Sequence, residues 1–183
     1  GMEPEDHFAT EAATLVKQGF RALKMRIGRY SVAREARLAA AVREAAGPDV
    51  LLMADGNAAY TMESAVRIGH VLSDLNFEAF EEPLPQSPKY AAYDELRRRL
   101  PLSLAAGEAL DSRASAKELI DRRAMDIIQP DISLCGGIAE ALFIAEMAAL
   151  SGVRCIPHCW GSDIIIAATV QLLSLLPDPH WGS

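Results

Sequence analysis

One recurrence in the sequence restricts the fold more than any other feature. Six short apolar runs each finish in ionisable or polar residues, and helix-like patterns separate them. Phe20–Ile27 carries Lys24 and Arg26 near its end, and Leu51–Asn57 finishes in Asp55-Gly56-Asn57. Phe77–Pro83 finishes in Glu81-Glu82-Pro83, and Leu102–Glu108 in Gly107-Glu108. Ala124–Asp131 finishes in Gln129-Pro130-Asp131, and Val153–His158 in Pro157-His158. From Lys24 through Asp55, Glu81, Glu108 and Asp131 to His158 the steps are 31, 26, 27, 23 and 27 residues. Each step has room for a strand, a helix and two loops, so the chain reads as a succession of βα units. The runs are continuously apolar, as in Val50-Leu51-Leu52-Met53-Ala54. A parallel sheet covered by helices on both faces requires that pattern. In a parallel barrel the C-terminal strand ends meet on one face, and that face carries the active site.

Local signals place the elements. Residues 4–18 form a helix between Pro4 and Gly19, with Phe8, Ala12, Leu15 and Val16 as its apolar face. Ser31 caps a helix to Ala46, which Gly47-Pro48 ends, and Thr61 caps another to about Leu75. After a stiff loop with Pro83, Pro85 and Pro88, a helix is expected over Lys89–Arg99. Asp111 or Ser112 caps a helix to about Arg122. Gly136-Gly137 opens one that runs to Leu150, and Ser162 caps one that runs to Leu176. The expected strands are Phe20–Ile27, Val50–Ala54, Phe77–Glu81, Leu102–Ala106, Met125–Gln129 and Val153–Pro157. Val50, Leu52, Phe80, Leu104, Ile127 and Ile156 are the expected core.

With 183 residues, half of them apolar and 23% charged, the chain is sized for one globular domain, residues 1–183. A complete eight-unit barrel takes about 250 residues, so six strands leave it incomplete. The net charge of −7 argues against nucleic acid, which needs a basic stripe. No apolar run is long enough for a membrane span, and no signal-peptide pattern opens the chain. Cys135, Cys155 and Cys159 lack Cys-x-x-Cys spacing and read as reduced thiols of a cytoplasmic protein.

The strand tips carry the chemistry. Asp55, Glu81 and Glu108 end three successive runs. Any one acid alone is more often a plain loop residue, but three at equivalent positions point to a shared cation. Their hard oxygens suit Mg²⁺ or Mn²⁺. Glu81 and Glu82 are adjacent and point to opposite sides, which leaves open which of them is the ligand. Lys24 and Arg26 share a strand face and would attract an anion; the plainer alternative is a pair of surface cations. Asp131 and His158 end adjacent runs, and a carboxylate behind an imidazole fixes its tautomer for general base or acid work. Gly136-Gly137 reads as a turn rather than a phosphate cradle.

Taken as an ordered set, Lys24-x-Arg26, Asp55-x-Asn57, Glu81-Glu82-Pro83, Gly107-Glu108, Gln129-Pro130-Asp131 and Pro157-His158 resemble the enolase superfamily. More narrowly, they resemble the C-terminal barrel domain of the mandelate racemase/muconate lactonizing enzyme family, in its mandelate racemase subgroup. The resemblance implies a TIM-like (β/α) barrel lacking here its first and last strands and its N-terminal capping domain, so the chain is expected to be part of a longer one. It implies Mg²⁺ on Asp55, Glu81 and Glu108, a substrate carboxylate on the metal, and removal of the α-proton to give an enediolate. That Mg²⁺ works with a Lys or His base is a general property of the superfamily. The Asp131–His158 dyad is the implied base; Lys24 and Arg26, on the opposite side, are implied as catalytic residues too, and with Asn57 as substrate-binding residues. Arg26 stands where a second lysine is usual, and an arginine is a poor base. Dehydration of a sugar acid is therefore the expected reaction. The alternatives are racemisation or epimerisation of an α-hydroxy acid, or a non-catalytic metal-binding remnant of such a barrel. The expected partners are a small carboxylate and, because sheet edges are left open, a second copy of the chain.

Overall fold

The computed structural model describes residues 4–86 and 90–176. They fall into two compact units, one of residues 4–86 with 95–103, the other of residues 90–94 with 104–176.

In the first unit, α1 (Pro4–Lys17), β1 (Ala22–Arg26), α2 (Val32–Ala46), β2 (Leu51–Asp55), α3 (Met62–Asp74) and β3 (Ala79–Glu81) alternate. The three strands pair in parallel in chain order, with Arg26 level with Asp55 and Asp55 level with Glu81. Parallel pairing of β2 with β3 excludes a hairpin between them. The register follows from burial. Leu52, Met53, Ala54, Ala79 and Phe80 are all buried, so neither face of these strands tolerates a slip that would bring in polar residues. The expected caps form: the Ser31 side chain accepts from Arg34 N, and Thr61 with Ser64 makes a reciprocal capping box. Helix α4 (Tyr93–Arg99) starts later than expected. Tyr90 is left-handed, with φ 55°, and cannot continue a helix; the expected start at Lys89 lies outside the described residues.

In the second unit, β4 (Ser103–Ala106), α5 (Arg113–Arg122), β5 (Ile127–Ile128), α6 (Ile138–Leu150), β6 (Arg154–Cys155) and α7 (Asp163–Leu173) repeat the alternation. These strands too pair in parallel in chain order. Strands β5 and β6 are shorter than expected at both ends, although single backbone bonds extend the pairing, from Gln129 N to Ala106 O and from Ile156 N to Ile128 O. Pairing resumes beyond them as a single parallel bridge between Asp131 and His158. Ser162 precedes α7 as expected but makes no side-chain cap bond, and α7 stops at Leu173 rather than Leu176. Of the expected core, Val50, Leu52, Phe80, Leu104 and Ile127 are buried, whereas Ile156 is only half-buried. It follows β6, which among the described residues has a strand neighbour on one side.

Arg43 was not anticipated. Its guanidinium donates to four backbone carbonyls: Leu75 and Gly47 at 2.9 Å, Val50 and Asn76 at 2.7 Å. It also lies over the Phe77 ring, 5.8 Å from its centroid. One side chain of α2 thus satisfies the loops that feed β2 and β3, at the strand ends opposite Asp55 and Glu81. Arg43→Ala should cost on the order of 3 kcal/mol, because carbonyls lose a charged donor. That is a large share of a typical domain's margin. Urea unfolding of the variant measures it.

Candidate active site

The first unit brings two acids and two cationic side chains together at the C-terminal tips of β1 to β3. Asp55 and Glu81 are 3% and 1% exposed, which for carboxylates demands compensation. It comes from β1. Lys24 Nζ lies 2.6 Å from Glu81 Oε1 and 3.9 Å from Asp55 Oδ2. Arg26 donates to Asp55 Oδ2 at 2.8 Å and to Asn57 Oδ1 at 2.6 Å. The backbone N–H of Asn57 returns to Asp55 Oδ1 at 2.8 Å. Strand alternation explains the set: Met25 points into the core, so Lys24 and Arg26 share the other face. Both lysine and arginine remain accessible, with side chains 40% and 47% exposed, so an incoming anion can reach them.

Glu81 and Glu82 part company, as their adjacency requires. Glu81 turns to Lys24, while Glu82 accepts from Gln86 Nε2 at 2.6 and 2.8 Å. Glu82 has φ 37°, a left-handed conformation at the point where the chain leaves β3. The loop after β2 is laced to that exit: Gly56 N, Ala58 N and Tyr60 N donate to the carbonyls of Glu81, Glu82 and Pro83.

The second unit assembles the histidine. His158 Nδ1 lies 2.8 Å from Asp131 Oδ2, and its Nε2 lies 3.3 Å from Glu108 Oε2. Asp131 is 2% exposed, and its other oxygen accepts from Ser133 through both the backbone N–H and the hydroxyl. Burial alone would push the Asp131 carboxyl up. The bonds from Ser133 and His158 outweigh it and hold the group below the ordinary carboxylate range. With a carboxylate at Nδ1, the neutral ring keeps its proton there and leaves the Nε2 lone pair free to take another. Once protonated, the ring donates to both carboxylates.

A pH dependence follows from Asp131. A carboxyl held below its unfolded value stabilises the fold fully above about pH 4, and that contribution is lost as pH falls through the lowered value. Urea unfolding between pH 7 and pH 2 should therefore show a steeper acid loss in the wild type than in Asp131→Asn.

Oxygen donors at Asp55, Glu81 and Glu108 match the hard-ligand chemistry of Mg²⁺ or Mn²⁺. Among the described residues no three His, Cys, Asp or Glu side chains are gathered into one ligand cluster as they stand. Their contacts include Lys24, Arg26, the Asn57 backbone N–H and His158. The sequence reading missed Glu35, Tyr60, Ser133 and Gln86. For Glu35 a signal was present: it lies on the buried stripe of α2 with Leu38, Ala39, Val42 and Ala46, and a carboxylate there needs a purpose.

The model of the family described as enolase C-terminal domain-like matches residues 7–183. The chain belongs to that family. Among curated relatives, a D-galactarolactone cycloisomerase of Agrobacterium fabrum is 40% identical over 93% of this chain and 45% of its own length. An arabinonate dehydratase of Saccharolobus solfataricus is 33% identical over 92% of this chain and 45% of its own. Among solved structures, the 3,6-anhydro-D-galactonate cycloisomerase from Zobellia galactanivorans superposes with a TM-score of 0.90 at 34% identity. The match covers 97% of this chain and 50% of that one. The α/β fold is thus that of the superfamily's C-terminal barrel domain, and this chain spans about half the length of the curated relatives it matches. Among the described residues no helix is long and apolar enough to cross a membrane, and the three cysteines are free thiols.

Proposed function

We propose that the protein containing this chain removes the proton α to a carboxylate with the help of Mg²⁺, and dehydrates a sugar acid. The observation that carries this reading is His158 with Asp131 at Nδ1, which leaves Nε2, the nitrogen beside Glu108, as the base position. Relatives named as a sugar-acid dehydratase and a lactone cycloisomerase support the substrate class.

Asp55, Glu81 and Glu108 are the residues that would hold Mg²⁺, with Mn²⁺ as a substitute. Bound there, the ion would supply positive charge that acidifies the proton α to a carboxylate. Lys24 and Arg26 bind and orient the anion, since both reach Asp55 or Glu81 and both remain exposed. Arg26 keeps its charge at working pH and serves as a clamp, not a base. His158 Nε2 takes the α-proton, and Asp131 holds the ring and its tautomer while the charge develops. The electron pair of the broken C–H bond is held as an enediolate, which either takes a proton back from His158 or forms the double bond as the β-hydroxyl leaves. That group departs as water with a proton from an acid in the site. The enol product then tautomerises to a 2-keto acid.

The test is a library of sugar acids incubated with the protein and Mg²⁺, assayed for 2-keto acid. A keto acid that forms only with Mg²⁺ and not with His158→Asn supports the reading. Racemised or epimerised acid without keto acid contradicts it.

A further inference from the structure

Glu35 is wholly buried and takes no part in the chemistry above. It sits in the first turn of α2 and reaches back over the loop that follows β1. Its Oε1 accepts from three consecutive backbone N–H groups, Gly28, Arg29 and Tyr30. Its Oε2 accepts from the Tyr60 hydroxyl, which belongs to the loop after β2. A single carboxylate thus ties the exits of two strands together. The tie is close. Gly28 has φ 97°, and a Cβ there would stand 2.7 Å from Ala59 Cβ and 2.9 Å from Gly56 O. The Tyr60 ring packs edge-on against Phe80 of β3, with centroids 5.6 Å apart. Burial and the Glu35 bond both push the Tyr60 hydroxyl well above its ordinary range, so it stays a donor.

The residues between these knots are Arg26 and Asn57. Arg26 lies two residues before Gly28, Asn57 three before Tyr60, and the two are joined by the 2.6 Å bond between them. Asn57 and Ala58 hold left-handed backbone, φ 44° and 59°, which surrounding contacts must sustain. We infer that Glu35 is a positioning residue, a clasp that fixes the Arg26–Asn57 arm for binding the carboxylate substrate. This rests on the proposed function for its consequence in catalysis, but not for its geometry.

The test has two parts on the full chain. The first needs no substrate: the side-chain resonances of Arg26 and Asn57 are read by NMR. In the wild type each should give one sharp set. Glu35→Ala should broaden or multiply them while the amides of α6 keep their shifts. Glu35→Gln, whose carbonyl still accepts from the three N–H groups, should leave them sharp. Sharp, unshifted Arg26 and Asn57 signals in a folded Glu35→Ala variant overturn the inference. Should that variant not fold, Tyr60→Phe loses one bond of the clasp and keeps the ring, and broadening or its absence there decides in the same way. The second part uses any acid turned over in the library. Glu35→Ala should raise KM on the order of 10- to 100-fold with a smaller change in kcat. In an Arg26→Ala background it should raise KM no further; an equal rise in both backgrounds contradicts action through Arg26. Disturbed resonances with no acid turned over leave the clasp standing and fell the proposed function instead.

Discussion

His158→Asn should reduce turnover of the acid substrate below detection, with the fold intact. Asparagine keeps a polar group near Asp131 but offers no lone pair able to take a proton from carbon. Nδ1 of His158 is committed to Asp131 at 2.8 Å, so the ring's remaining nitrogen, Nε2, is the one assigned to take the proton. Asp131→Asn should lose less, on the order of 10²- to 10⁴-fold, the usual span for general acid–base assistance. Its effect is indirect. An amide at that position can present its nitrogen to Nδ1 and stabilise the wrong tautomer, and it gives no compensation to an imidazolium. The Ser133 bonds hold Asp131 independently of the histidine, so Ser133→Ala should cost much less. Steady-state kinetics of the three variants, with circular dichroism as the control for folding, measures the ordering.

The second large effect concerns the acids. Asp55→Asn, Glu81→Gln and Glu108→Gln should each weaken Mg²⁺ by more than the 10- to 100-fold typical of residues behind the ligands. Titration calorimetry with Mg²⁺ alone reads this without any substrate. Asp55 and Glu81 are already held as a charge-compensated pair by Lys24 and Arg26. Neutralising either acid leaves a cation with less opposing charge, so thermal stability should fall as well. Glu108 stands apart. It lies beside the histidine at 3.3 Å, and Glu108→Gln should alter Mg²⁺ affinity with little change in melting. Unchanged Mg²⁺ affinity in all three variants contradicts the ligand assignment.

Much of this was legible in the sequence because it depended on period and polarity. Continuous apolar runs marked buried parallel strands, and the residues that ended them had to emerge at one end of those strands. Arg26 beside Asp55 and His158 beside Asp131 follow from register, since level tips on adjacent parallel strands are neighbours; Lys24 meets Glu81 by reaching across the intervening β2. The misses share a cause. Arg43 and Glu35 act through backbone carbonyls and N–H groups, and no residue pattern announces an interaction whose partner is the main chain. Strand lengths were overestimated at β5 and β6 because the apolar runs extend beyond the residues that pair on the sheet. Tyr90 could not have been expected in left-handed backbone from its type. Which glutamate of the Glu81-Glu82 pair turns to the bases was likewise settled by the bend at Glu82, a feature of the backbone.

The central claim is a single histidine base working on one face of a carboxylate substrate with Mg²⁺. Proton exchange at the α-carbon in heavy water, followed by NMR for both enantiomers of each α-hydroxy acid that binds, tests it most directly. The account predicts deuterium entering one enantiomer, only with Mg²⁺ present, and not at all in His158→Asn. Exchange of both enantiomers at similar rates, or exchange that persists without His158, would contradict it and put a second base at Lys24 or Arg26.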